Sequence, residues 1–185
     1  LILAGKHIRY YLCSRKTLLL FLLALASLSV CAQSTVAREY QVKAVFLYNF
    51  TQFVEWPAAA GQTTQPFVIG ILGTDPFGRY LEETVAGEKV AGRSVIVQRF
   101  NDVSEISTCH ILYINRIKLN EETLAALRRR GILTVSDHNS FIQQGGMVRF
   151  YTANNKIRFQ INLPVTKAAQ LNISSKLLRV ADIVE

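Results

Sequence analysis

Beyond residue 32 the chain holds one cysteine, Cys109, of the three in its 185 residues. One thiol cannot close an intramolecular bridge, so no disulfide framework is expected, and Cys109 is either a buried thiol or a lone reactive one. Long apolar runs are also missing. The uncharged stretch from Thr17 to Ala32 has 16 residues, below the ~18–20 of a membrane-spanning helix. The glycines of GILGTDPFG do not match G-x-G-x-x-G, and no G-K-[ST] follows to cradle phosphates. A strand turning into a capped helix explains them. No internal repeat, low-complexity tract or linker divides the chain.

The first 32 residues have the three parts of a secretory signal. Lys6, Arg9, Arg15 and Lys16 form a basic start, Thr17 to Val30 an apolar run, and Val30-Cys31-Ala32 offers small residues for cleavage. Cleavage is expected after Ala32, with export of the product to an oxidising compartment. Leu28-Ser29-Val30-Cys31 also resembles a lipoprotein box, an alternative in which a lipid on Cys31 anchors the protein; Val30 is bulky for that position. Four of the 21 Lys and Arg leave with the signal. The remaining 17 against 13 acidic residues give +4 rather than +8, and nucleic-acid binding loses its main support. Residues 33–185 suffice for one domain burying about 68–70% of its unfolded surface.

The densest aromatic stretch is VKAVFLYNFTQFVEWP, Val42 to Pro57. Its apolar residues recur every three to four positions, predicting a helix with one broad apolar face that stops at Pro57. Val45, Phe46, Phe50 and Phe53 are expected in the core. Tyr48 and Trp56 are the candidates for surface contact. The apolar runs Phe67–Leu72, Ser94–Phe100, Cys109–Ile114 and Ile132–Ser136 read as strands, the first covered on both faces. Helices are expected over Phe77–Val85 behind an Asp75-Pro76 cap, from Asn120 to Gly131, and briefly over Asn139–Gln144. Alternation around Asn154-Asn155 predicts a hairpin over Met147–Ile161. Helical material is expected from Pro164 to the end, with a break near Asn172. Strands alternating with helices predict an α/β fold: a single layered domain, its mostly parallel sheet flanked by helices, with a C-terminal antiparallel hairpin.

Asp75, Asn115, Asp137 and His138, together with Asn101 and Asp102, follow predicted parallel strands. They therefore lie on the carboxyl edge, where open α/β sheets bind ligands. Asp75, Asp137 and His138 are metal-ligating residue types, yet Asp and Asn are also what caps and turns require there. A Cys109–His138 nucleophile–base pair is opposed by topology. One begins its strand and the other follows the end of another, roughly 20 Å away at about 3.3 Å per residue. Arg128, Arg129 and Arg130 make either a solvated helix end or a docking patch for an acidic partner.

YNFTQFVEWP, GILGTDPFG, HILYIN and ISSKLLRVA together resemble the YfiR-like family of small exported bacterial proteins, from about Glu39 to Val184. The resemblance implies a periplasmic α/β domain, commonly a homodimer, with no enzyme activity and no cofactor. It implies binding to the periplasmic sensor region of an inner-membrane diguanylate cyclase, which is held inactive. Stress, or capture by an outer-membrane lipoprotein, would relieve that repression and raise cyclic di-GMP, a biofilm signal. A chain ending after this domain is expected to act as a separate protein. The best-known members carry cysteine pairs, whereas the Met147–Ile161 hairpin has none, so redox control within the chain is not expected; a bridge between chains through Cys109 stays open. Two rivals remain: a periplasmic small-ligand sensor using the carboxyl-edge residues, and an enzyme built on Cys109.

Overall fold

The structure, a computed structural model, describes residues 36–57, 65–115 and 119–185. The expected signal over residues 1–32, Cys31 included, lies outside them. Two units separate between Glu39 and Tyr40. Of the first, residues 36–39 are described and are helical; the second holds the sheet. Its helix α1 covers residues 40–53, followed by strand β1 (Val54–Glu55), β2 (Phe67–Gly73), α2 (Tyr80–Val85), β3 (Lys89–Val90) and β4 (Arg93–Phe100). Then come a 3-10 turn (Val103–Glu105), β5 (Ile111–Asn115), α3 (Glu121–Arg129), β6 (Leu133–Ser136), β7 (Val148–Ala153) and β8 (Lys156–Asn162). The chain closes with α4 (Leu163–Ala168), β9 (Asn172–Ile173), α5 (Ser175–Leu178) and β10 (Asp182–Val184).

Eight strands form one sheet in the order β10-β8-β7-β6-β5-β2-β4-β3, and β1 pairs with β9. The run β4-β2-β5-β6-β7 is parallel, while β8 pairs antiparallel with β7 and β3 with β4. The expected α/β fold with its C-terminal hairpin is therefore present. Asn154 and Asn155 have φ of 51° and 56°, the two positive values that a tight two-residue hairpin needs.

Alternation along the parallel strands divides the interior into two cores. Phe67, Ile69, Ile71, Ile111, Tyr113, Leu133 and Val135 face the layer of α1 and α2. Val68, Leu72, Leu112 and Ile114 face Leu124 and Leu127 of α3. β2 is covered on both sides, as a continuous apolar run requires. Within the first core Phe50 stacks on Phe150 at 5.9 Å and meets Phe159 edge-on at 5.4 Å. Burying a ring of this size contributes ~1.5–3 kcal/mol.

Four expectations need correction. Val45 is 48% exposed. Ala44, Leu47 and Phe50 are fully buried, with Phe46 and Phe53 flanking the core part-buried, because α1 is rolled toward the side of Lys43. Its last predicted turn is instead β1, held by pairing Val54 with Ile173 and Glu55 with Asn172. Asn139–Gln144 makes turns rather than a helix. The chain ends in a strand: β10 gains its hydrogen bonds from β8, a partner invisible to local pattern.

Gly70 sits mid-β2 where a Cβ would meet Cys109 Sγ at 2.8 Å and Leu112 and Phe100 at 2.9 Å. Gly70→Ala is expected to destabilise the fold by about 1–3 kcal/mol through overpacking, measured as a lowered urea midpoint at unchanged m-value.

Candidate functional site

The carboxyl edge of the parallel strands contains the switch point, where the connection from β2 turns toward β4 and that from β5 toward β6. This is the usual ligand crevice of such sheets. Here it is laced shut. Asn115 Nδ2 donates to the Thr74 carbonyl at 2.7 Å, joining the loops after β2 and β5. Asp75 accepts from the Phe77 amide at 2.7 Å and pairs with Arg99 of β4 at 2.6 Å. Arg99 also pairs with Glu82. Its partial burial opposes the charge, but the two carboxylates outweigh that and raise its pKa. His138 is exposed, its Nδ1 3.1 Å from Ser140 Oγ. Among the described residues no cluster of His, Cys, Asp and Glu is arranged to hold a metal.

Asp137 is different, because a lysine from the helical layer reaches it. Lys43 projects from the covered face of α1 and places Nζ 2.7 Å from Asp137 Oδ2. The same oxygen accepts from Tyr113 Oη at 2.9 Å and Tyr40 Oη at 3.3 Å. The lysine side chain is 2% exposed and the aspartate 29%. Burial alone would raise the Asp137 pKa; the Lys43 ammonium and the two phenols more than offset it, and the carboxyl titrates below its usual range. Burial, then the Asp137 charge, pushes Tyr113 far up, so its hydroxyl stays a donor. A signal for Lys43 did exist. Extending the frame of Val54, Phe50 and Leu47 back one more turn lands on residue 43.

At the opposite, amino edge a cleft of about 380 Å³ opens between Trp56, the Ser107–His110 segment and the end of α3 at Arg129-Arg130. Three residues singled out as contact candidates, Trp56, Arg129 and Arg130, are thus brought together across the fold. Tyr48 and Arg128 do not line this cleft. Tyr48 instead donates to Glu88 at 2.5 Å. Trp56 is half-buried, its Nε1 donating to the His110 carbonyl at 3.3 Å and its ring edge-on to Phe67 at 5.0 Å. Arg130 Nη2 donates to the carbonyls of Ile106 and Ser107 at 2.7 and 3.0 Å, pinning that loop.

Two reactive residue types border the cleft in unreactive states. Cys109 is buried, its thiol donating to the Ile111 carbonyl at 3.1 Å, and burial pushes its pKa up to about 12. His138, its candidate base, follows the far end of β6. His110 stacks on Phe67 at 4.3 Å. Its Nδ1 faces the Val68 amide at 3.0 Å and its Nε2 faces Arg93 Nη1 at 3.2 Å. A neutral imidazole accepts at one nitrogen only, and the cation at none. Burial first, and Arg93 second, lower its pKa to about 4.

Residues 40–182 match the family model described as YfiR/HmsC-like. The chain belongs to the YfiR/HmsC-like family. No curated protein matches it. The YfiR/HmsC-like family is one of periplasmic regulators of diguanylate cyclases, regulatory rather than catalytic. Among the described residues of this member, no helix is long and apolar enough to cross a membrane.

Two outcomes test the buried groups of this YfiR/HmsC-like domain. Asp137→Asn should cost about 3 kcal/mol, the low end for breaking a buried ion pair. Lys43→Met should cost less, since Asp137 keeps some water and two phenol donors whereas Lys43 is enclosed; chemical denaturation of both variants measures the order. His110 has its native pKa below the unfolded 6.5. Its contribution is therefore complete above pH 6.5 and lost as the unfolded chain takes up the proton between about pH 6.5 and 4, at most about 3 kcal/mol. Asp137 loses its contribution only below the ordinary carboxylate range, so a melting-temperature profile of His110→Gln should be flatter from pH 6.5 to 4 alone.

Proposed function

We propose that this protein is exported by residues 1–32 and acts in the periplasm as a non-catalytic repressor. It binds the periplasmic sensor region of an inner-membrane diguanylate cyclase and holds the enzyme inactive. The observation that carries this reading is the family match over residues 40–182. The internal pairing of the carboxyl edge supports it. Asn115, Asp75 and Asp137 are engaged with Thr74, Arg99 and Lys43, which leaves the usual catalytic position of an open α/β sheet with structural work.

Repression by contact is a population shift. The protein binds one conformation of the cyclase better than another, and the difference in affinity sets how far the equilibrium moves. A homodimer, and release by an outer-membrane lipoprotein, belong to the same proposal. Cys109 gives redox control no purchase in this account, since its thiol is enclosed and protonated.

A second reading, a small-ligand sensor at the carboxyl edge, draws on the part of Asp137 that remains exposed. It predicts a ligand-induced rise in melting temperature that Asp137→Asn removes.

The repressor reading predicts that deleting the gene raises cellular cyclic di-GMP. It also predicts that the purified protein captures the periplasmic segment of a membrane diguanylate cyclase. Unchanged cyclic di-GMP together with no captured segment would sink it.

A further inference from the structure

The cleft at the amino edge is built as a seat for negative charge. Its lining comprises Trp56, Pro57, Gln65, the 107–110 segment, the 129–132 segment, Ala169 and Gln170; it includes two guanidiniums and, among the described residues, no carboxylate. The mouth is rich in donors: Gln65, Ser107, Thr108, Arg129 and Gln170 are all exposed there. The floor is apolar, with Ile132 and Ala169 buried and the Trp56 ring forming one wall. Arg130 engages its loop through Nη2 alone among the described residues, so the rest of its fork is available.

The end of α3 works against an anion, because its carbonyls carry about half a negative charge. Two guanidiniums contribute four times that with opposite sign. The cleft also owes its shape to distant pieces: β1 pairing sets Trp56, Gly131 turns with φ of 67°, and Arg130 fixes the 107–108 wall. An exposed arginine that served only to cap α3 would need neither the aromatic wall nor an acid-free lining.

We infer that this cleft receives an acidic segment of the protein partner, with Arg129 and Arg130 taking its carboxylates and Trp56 packing on the adjoining apolar surface. This rests on the repressor reading, and deepens it by naming the face and the chemistry. Charged contacts at an interface rim act on encounter and are screened by salt, whereas partly desolvated pairs act on dissociation.

The test uses the exported protein and the periplasmic cyclase segment that it captures. Arg129→Glu should weaken that complex at least about tenfold and raise cyclic di-GMP in cells, with the melting temperature lowered only slightly by the new carboxylate at the negative end of α3. Arg129→Lys should retain most of the affinity. Ser107→Glu, on the facing wall, should act like Arg129→Glu and serves as the second probe should that variant fold poorly. Lys156→Glu, beside the hairpin turn at the other end of the strands, should bind as the parent does. Wild-type affinity in both Arg129→Glu and Ser107→Glu overturns the cleft assignment and leaves the repressor reading standing. So does a cleft that binds citrate, seen as a rise in melting temperature that Arg129→Glu abolishes, while partner affinity stays intact. Failure of the parent protein to capture any cyclase segment removes the repressor reading, and this inference with it.

Discussion

A lysine taken out of water must be met by negative charge, and the Lys43–Asp137 pair at 2.7 Å is where the helical and sheet layers are locked together. It sets the roll of α1: with Lys43 inward, Leu47, Phe50 and Val54 follow on the same stripe, and Val45 turns to solvent. The roll in turn presents Phe46 and Phe50 to Phe150 and Phe159 of the hairpin. It delivers Val54 and Glu55 to β9 and leaves Trp56 beside His110. Buried ion pairs often add little net stability, because desolvation offsets the attraction. What this one supplies is a unique rotation for a helix whose aromatic residues nearly encircle it.

The two edges of the parallel sheet have been put to different uses. At the carboxyl edge, where diverging loops usually leave a crevice, Asn115 and the Asp75–Arg99–Glu82 network draw the loops together. At the amino edge, the path of the chain from α1 through β1 leaves Trp56 standing off the sheet, and the end of α3 provides the facing wall. The concave, positively charged surface is consequently on the side where this architecture seldom binds ligands. That distribution suits a protein that works through contact with another.

Cys109 and His110 show how position overrides residue type. Side by side at the start of β5, they would look like a reactive pair in an open setting. Instead the thiol is packed against the space left by Gly70, and the imidazole lies between two donors on the ring of Phe67. Burial removes the thiolate from one and the proton from the other. Both are parts of the wall rather than agents of chemistry.

Local pattern was enough for much of this molecule. The covered strand Phe67–Gly73, the capped helix from Asn120 to Gly131 and the Asn154-Asn155 hairpin are all written in short-range terms: apolar runs, an Asn side chain on the Thr123 amide, and two residues that tolerate positive φ. The family, too, was legible from a few separated motifs. What local pattern cannot contain is anything whose stabilising partner is far away in the chain. β1 and β10 exist because β9 and β8 offer them hydrogen bonds. Lys43 is buried because Asp137, 94 positions later, lies above it. Trp56 comes to line one cleft with Arg129 and Arg130 only once a helix, a crossover and two strand registers have been set. The sequence by itself determined the main helices and the strands of the parallel sheet and hairpin, and that they alternate, since backbone preference and apolar period act within a few residues. Tertiary structure alone decided which face of α1 is core and where the charged cleft opens, since those depend on the summed packing of segments that only the closed fold brings together.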